Sequence, residues 1–282
     1  MPAHELTPVA AIADALRPIA GSWTIEIGEP RGDGWIAGTD LARADRGPLP
    51  DLLQRIGAQA GTSDRRTIAA SFAMRFGWAS AMAIAPYVRY GCVPDVSLDN
   101  VSFQFPASTF LQRTAIHVAR GLVVFGDARA SHPSMSAVPD ARALLAALRQ
   151  ALVAQSAPVV DALFDWSGFA RIGAWGLHTS SWAAHVTGLS DPHDDQRATL
   201  PILDALFAGD DDVAKMRPRF HVVTDDGARH VFQRRASCCR IYLLPQGDLC
   251  TSCPLVSDDE RVARNRTFMR SMRQRTQPSR HG

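Results

Sequence analysis

An α+β fold, rich in helix, with a small antiparallel sheet and a C-terminal cysteine-bearing segment, is what this sequence predicts. Three observations carry that expectation. Apolar residues recur at helical spacing over 6–16, 64–90, 139–186 and 200–207. Short β-branched and aromatic runs at 101–105, 116–125, 220–224 and 229–233 lie beside turn residues. Four of the five cysteines fall within 238–253. With 282 residues, 46% of them hydrophobic, the chain can bury a real core as one large domain or two ordinary ones.

Taken in order, Leu6, Val9, Ala10, Ala13 and Leu16 form one helical stripe that Pro18 and Gly21 should end. The Gly/Pro-rich stretch 28–50, with Trp23 and Trp35 nearby, predicts loop with a short strand. Ser63 or Asp64 then caps the longest helix, 64–90, whose apolar residues cover more than one face and so place it in the core. Gly91-Cys92-Val93-Pro94-Asp95 breaks it. Strands at 101–105 and 116–125, the second divided at Arg120-Gly121, suggest a hairpin. One or two helices follow over 139–164, with Pro158 near the junction, and another over 167–186.

A polar loop at 191–197 leads to a short helix at 200–207, stopped by Gly209 and by Asp210, Asp211 and Asp212, which belong to a solvated loop. Asp225-Asp226-Gly227 between two strand-like runs signals a tight hairpin, because glycine tolerates the positive φ of the turn. Ser257-Asp258-Asp259-Glu260 has the capping-box pattern, so a basic helix closes the chain from about 258 to 275. The chain divides into an N-terminal extension (1–60), a main domain (61–234), the cysteine segment (235–256) and the basic helix and tail (257–282).

A formal net charge of +2 argues against nucleic-acid binding. The one local excess is Arg261, Arg264, Arg266, Arg270, Arg273, Arg275 and Arg280, with no acidic residue among them. A simply solvated helix is the default for them; contact with an acidic partner or the inner membrane surface is the alternative. No secretory signal opens the sequence, and no run approaches the roughly 20 apolar residues of a membrane span. A cytoplasmic location is expected, where thiols stay reduced and clustered cysteines serve as metal ligands or redox groups.

Cys238 and Cys239 are adjacent, so on a regular strand they would point to opposite faces; the backbone must bend for both to reach one centre. Cys250 and Cys253 form a C-x2-C turn, and Pro245-Gln246-Gly247-Asp248 can reverse the chain to bring the pairs together. Three interpretations compete. A 2Fe-2S cluster takes four thiolates and offers a one-electron couple. Structural zinc also takes four, but is usually built from two C-x2-4-C knuckles, which the vicinal pair is not. Reduced core cysteines or a disulfide would need coincidence to produce the clustering. Cys92, beside Pro94, is expected to be a small core residue.

Cys-Cys-x10-Cys-x2-Cys, with Pro-x-Gly-x in the spacer and Pro254-Leu255 after the last cysteine, resembles the terminal cluster motif of FhuF-like ferric siderophore reductases. Upstream, 91–103 is similar to that family's helix-to-strand junction, and Arg171 to Gly176 resembles its Trp-Gly segment; residues 1–60 show no such likeness. The resemblance implies a C-terminal iron-sulfur segment in which Cys238, Cys239, Cys250 and Cys253 ligate a 2Fe-2S cluster. It implies reduction of ferric hydroxamate siderophores by single electrons. No Gly-x-Gly-x-x-Gly fingerprint is present, which suggests an external donor, a ferredoxin or flavin reductase. The alternatives are a zinc-stabilised or siderophore-binding module without activity, and a 2Fe-2S redox or iron sensor.

Arg234, Arg235 and Arg240 flank the cysteines and either raise the potential, dock an acidic donor or are simply solvated. His178 and His185 share a helix face with Trp175 and Trp182, which could line a siderophore pocket but more often marks a packed face. No Cys-x-His pair accompanies them, against a Rieske-type cluster.

Overall fold

The computed structural model describes residues 6–18, 24–189 and 195–276. Gly21, Trp23, Arg280 and residues 191–194 of the polar loop lie outside the described residues. Helix α1 (Pro8–Leu16) starts at Thr7, whose hydroxyl accepts the Ala10 N–H. Strands β1 (Thr24–Ile27) and β2 (Trp35–Ala37) follow, and then an unanticipated helix, α2 (Pro48–Ala60). Its prolines occupy the first turn, where a missing N–H costs nothing, so they begin the helix rather than break it. Leu49, Leu52, Leu53 and Ile56 form its buried stripe.

The long helical run expected over 64–90 is α3 (Arg65–Phe76) and α4 (Ala81–Tyr90), joined by a 3-10 turn at Gly77–Ser80. Asp64 caps it by accepting the Arg66 N–H. After it come β3 (Val93–Pro94), β4 (Val101–Gln104), β5 (Arg113–Ile116), β6 (Gly121–Val124) and β7 (Met135–Val138). The four-stranded sheet has the order β1-β5-β4-β2, with β1 parallel to β5 and β4 antiparallel to it; the partner of 101–104 is thus 113–116, which shares only Ile116 with the run expected to form the hairpin. Of the expected strand 116–125, Ile116 ends β5, 117–120 are not strand, and 121–124 lie in a second sheet. There β6 joins β3 and β7, the latter in parallel. At the division a Cβ on Gly121 would lie 2.8 Å from the Val93 carbonyl, so only glycine lets the strands approach there.

Residues 139–164 contribute to a single helix, α5 (Ala141–Ser167), which carries Pro158 inside it. Helix α6 (Arg171–Gly188) crosses the end of α3 and the 3-10 turn after it so closely that a Cβ on Gly77 would strike the Ser181 side chain. Phe72, Phe76 and Phe103 pack with Leu148, Leu163 and Leu177 in one core that also takes in Cys92 and Cys239. Two stretches, Arg65–Tyr90 and Ala141–Ser167, do reach the length and hydropathy of a membrane span, contrary to the sequence expectation. The reason is alanine-rich core packing in the first, 83% of whose apolar window is buried inside the fold; the second is only partly covered, at 39%.

Helices α7 (Leu200–Leu206) and α8 (Asp212–Lys215) are short. Asp211 is not merely solvated, since it caps α8 through the Ala214 N–H and pairs with Arg149 at 2.6 Å. The hairpin β8 (Arg219–Asp225) and β9 (Ala228–Arg234) turns through Asp226 and Gly227, both at positive φ. Helix α9 (Asp258–Thr276) packs on β8 and starts at Ser257, whose hydroxyl accepts the Glu260 N–H. Only that half of the capping box forms, because Glu260 pairs with Arg264 instead.

Candidate metal centre

Strand β9 delivers the chain into the cysteine segment, and the ladder stops at Arg234. Beyond it the backbone leaves regular strand geometry, so Cys238 and Cys239 escape the opposite-face constraint. Arg240 stands at φ 60°, a left-handed conformation that costs a non-glycine residue about 1–2 kcal/mol. Its guanidinium is anchored to Thr67 (3.0 Å) and Asp64 (2.9 Å) on the first turn of α3, and its N–H donates to the Cys238 sulfur at 3.4 Å. Those bonds offset the strain and fix the bend.

A short 3-10 turn, Ile241–Leu243, and the Pro245–Asp248 reversal then return the chain to Cys250. Gly247 is indispensable there: a Cβ would fall 1.7 Å from the Ile241 carbonyl oxygen. Gly247→Ala should therefore open the spacer, destabilise the protein by about 1–3 kcal/mol, and reduce bound iron per chain. Thermal melting and iron assay read both, and an unchanged melting temperature with full iron content would refute this account of the turn. Gly176 on α6 has a similar role, since its Cβ would lie 2.6 Å from the Ser237 side chain just ahead of the cysteines.

All five cysteines are free thiols. Cys239 and Cys253 are buried, Cys238 is half-buried and Cys250 is exposed. The pairs meet at Cys239 and Cys250, both reached by the Arg235 guanidinium, and the interaction of these two thiols pushes Cys239 up and holds Cys250 down. Cys253 is near enough to Cys238 and Cys250 to feel their charge, although burial is the larger cause raising its pKa. Among the described residues, no three His, Cys, Asp or Glu side chains are arranged about a single ion. Cys92 lies apart in the core, its thiol pushed up to about 11 by burial.

Arg235 is the residue whose role the sequence understated. Only 4% exposed, it is not a solvated flank; its Nη2 contacts the Cys239 sulfur at 3.5 Å and also reaches Cys250, while Nη1 lies 2.7 Å from the Met74 sulfur. Its Nε is buried without a partner. A buried guanidinium whose polar neighbours are thiols favours negative charge among them, first at Cys250, whose thiol is held down. In number and chemistry the four sulfur donors suit a group that takes two thiolates at each of two irons, and the cation lies against one sulfur of each pair.

The basic helix is also turned inward. Arg261, 1% exposed, donates to the carbonyls of Cys253 (2.7 Å), Thr251 (3.4 Å) and Val256. Arg264 holds the Leu249 carbonyl, and Arg270 and Arg273 grip Asp225 in the hairpin turn. Helix α9 thus clamps both sides of the Cys250–Cys253 loop, which a charge count alone could not reveal.

Residues 235–255 match the family model of the FhuF 2Fe-2S C-terminal domain. The prosthetic group of this segment is accordingly a 2Fe-2S cluster. The FhuF match spans the bend, both cysteine pairs and Arg235, and stops short of α9. No curated protein matches the chain. The likeness to FhuF is thus confined to the cysteine segment, residues 235–255.

His178 and His185 do not line a pocket. Both are buried in α6, His178 against Phe76 and Trp175, with neither ring nitrogen hydrogen-bonded, and His185 bonded to Ser80 at 2.9 Å. Burial pushes their pKa values down to about 3 and about 4. In the unfolded chain the rings take up protons near pH 6.5, so their contribution to stability is complete above that value and is lost as pH falls. Between pH 6.5 and 5, stability should drop by up to about 1.4 kcal/mol per pH unit for each ring. Urea denaturation at pH 7 and pH 5 measures the drop, and His178→Leu should lessen it; an equal slope in the variant would refute the assignment.

Proposed function

We propose that this protein is a ferric siderophore reductase of the cytoplasm, with Cys238, Cys239, Cys250 and Cys253 as the four cluster ligands. When bound, the cluster supplies one-electron chemistry. The observation that carries the proposal is the buried Arg235 between the two cysteine pairs, inside the matched segment. Its charge compensates the thiolates and favours the more negative, reduced state. Arg261 and Arg264 hold the Cys250–Cys253 loop at its carbonyls, and Arg240 holds the vicinal pair.

The acceptor is ferric iron in a hydroxamate-type siderophore. Hard hydroxamate oxygens hold ferric ion far more tightly than ferrous ion, so one electron loosens the complex without any nucleophile or general base. An external ferredoxin or flavin reductase supplies the electron.

Anaerobically purified protein should be red-brown, bleach with dithionite, and accelerate ferrous release from a ferric trihydroxamate into a ferrous-specific dye. A colourless protein with stoichiometric zinc would sink the proposal in favour of a zinc-stabilised module. A coloured, reducible protein that leaves the release rate unchanged would instead mark a redox or iron sensor.

A further inference from the structure

Met74, Arg75, Trp78, Phe110 and Ile241 line an open cavity of about 360 Å³ at the end of α3. Its wall and the cysteine segment are contiguous: Met74 lies 2.7 Å from the Arg235 guanidinium, and Ile241 follows Cys239 by two residues. A molecule in the cavity is separated from the cysteine sulfurs by little more than those side chains. Two further features concern what it would hold. Trp78 and Phe110 are half exposed and face the same cavity, so together they offer a contiguous aromatic surface to whatever enters it. Arg75 is half-buried, bonded to the Thr109 hydroxyl and stacked 4.2 Å from the Phe110 ring centre.

Among the described residues Arg75 has no carboxylate partner, and no acidic side chain lines the cavity. Burial lowers its pKa, as expected of a cation with incomplete solvation and no counter-charge. An unbalanced cation beside two aromatic faces suits a ligand with electron-rich oxygens on an apolar arm and is unsuited to a cationic one.

We propose that this cavity seats one arm of a ferric chelate of zero or negative overall charge, with Arg75 facing its iron-bound oxygens and Trp78 and Phe110 packed on the arm. The assignment rests on the reductase function proposed above. Three monoanionic hydroxamates neutralise ferric iron, and reduction to ferrous iron by one electron leaves the complex at charge −1. No covalent bond to the protein forms and no proton is needed; the electron comes from the reduced 2Fe-2S segment, replenished by an external electron-transfer protein. Arg75 therefore attracts the reduced complex more strongly than the oxidised one, which favours the transfer. The cavity is at the small end of ligand pockets and open to solvent, so it receives an arm and leaves the remainder of the chelate outside.

The test uses cluster-loaded protein and gallium(III) trihydroxamates, which cannot be reduced, one neutral and one carrying a pendant ammonium group. Calorimetry should show the neutral chelate binding more tightly. Arg75→Gln and Phe110→Ala should each weaken it by roughly fivefold, with the visible spectrum and midpoint potential of the cluster unchanged. Phe110 is exposed, so its truncation leaves the core intact. Equal binding by both variants, or by the two chelates, overturns the cavity assignment. If that happens while wild-type protein still speeds ferrous release, the reductase function stands and only the cavity falls. If the neutral gallium chelate binds as described but no ferric chelate is reduced, the cavity stands and the reductase function falls.

Discussion

Cys239→Ser should abolish the visible absorption of the cluster, its iron and the reductase activity together, while leaving the helical circular dichroism of the protein in place. The substitution is nearly isosteric at a buried side chain. What is lost is the soft thiolate, the ligand type that iron-sulfur centres require, and serine does not ionise to replace it. Cys239 and Cys250 are also the two sulfurs, one from each pair, that Arg235 reaches, so the substitution weakens that bridge between the pairs. Cys92→Ser is the matched control: equally buried but remote, it should cost about 1–3 kcal/mol for a buried hydroxyl and retain full iron and activity. A Cys239→Ser protein that still reduces ferric chelates would show that the electron path lies elsewhere.

The cysteine segment, the closing hairpin and most helices were legible because each is a local pattern. Asp226-Gly227 needs positive φ, Ser257 caps a helix start, and the thiol spacing is written in four letters. What escaped the sequence depends on distant partners. The parallel pairing of β1 with β5 joins residues some ninety positions apart, and the split of 116–125 follows from where β3 and β7 lie. Helix α2 was hidden by prolines that look like breakers until their first-turn position is known. Arg261 and Arg264 read as surface charge because their acceptors are carbonyls, a group every residue carries and no sequence displays. Gly176 and Gly247 likewise count only through the atom that approaches them.

Arg235 offers the sharpest separation of charge from geometry. Arg235→Met, similar in shape, leaves the Cys239 and Cys250 sulfurs without their cation and removes the contact with Met74. Breaking a buried charge pair costs about 3–5 kcal/mol, so the loaded protein should melt earlier and lose iron faster to a chelator. Among molecules that keep the cluster, the missing positive charge disfavours the added electron and lowers the midpoint potential. A loss of about 1.4 kcal/mol of that preference corresponds to roughly 59 mV for a one-electron couple; a fall on the order of 60–120 mV is expected, measured by spectroelectrochemistry. Arg235→Lys keeps the charge but not the planar fork that reaches Cys239, Cys250 and Met74 at once. It should recover most of the potential and only part of the resistance to iron loss. If the lysine variant instead matches methionine in potential, directed N–H bonds rather than net charge set the driving force, and if neither variant shifts it, Arg235 serves only to brace the loop.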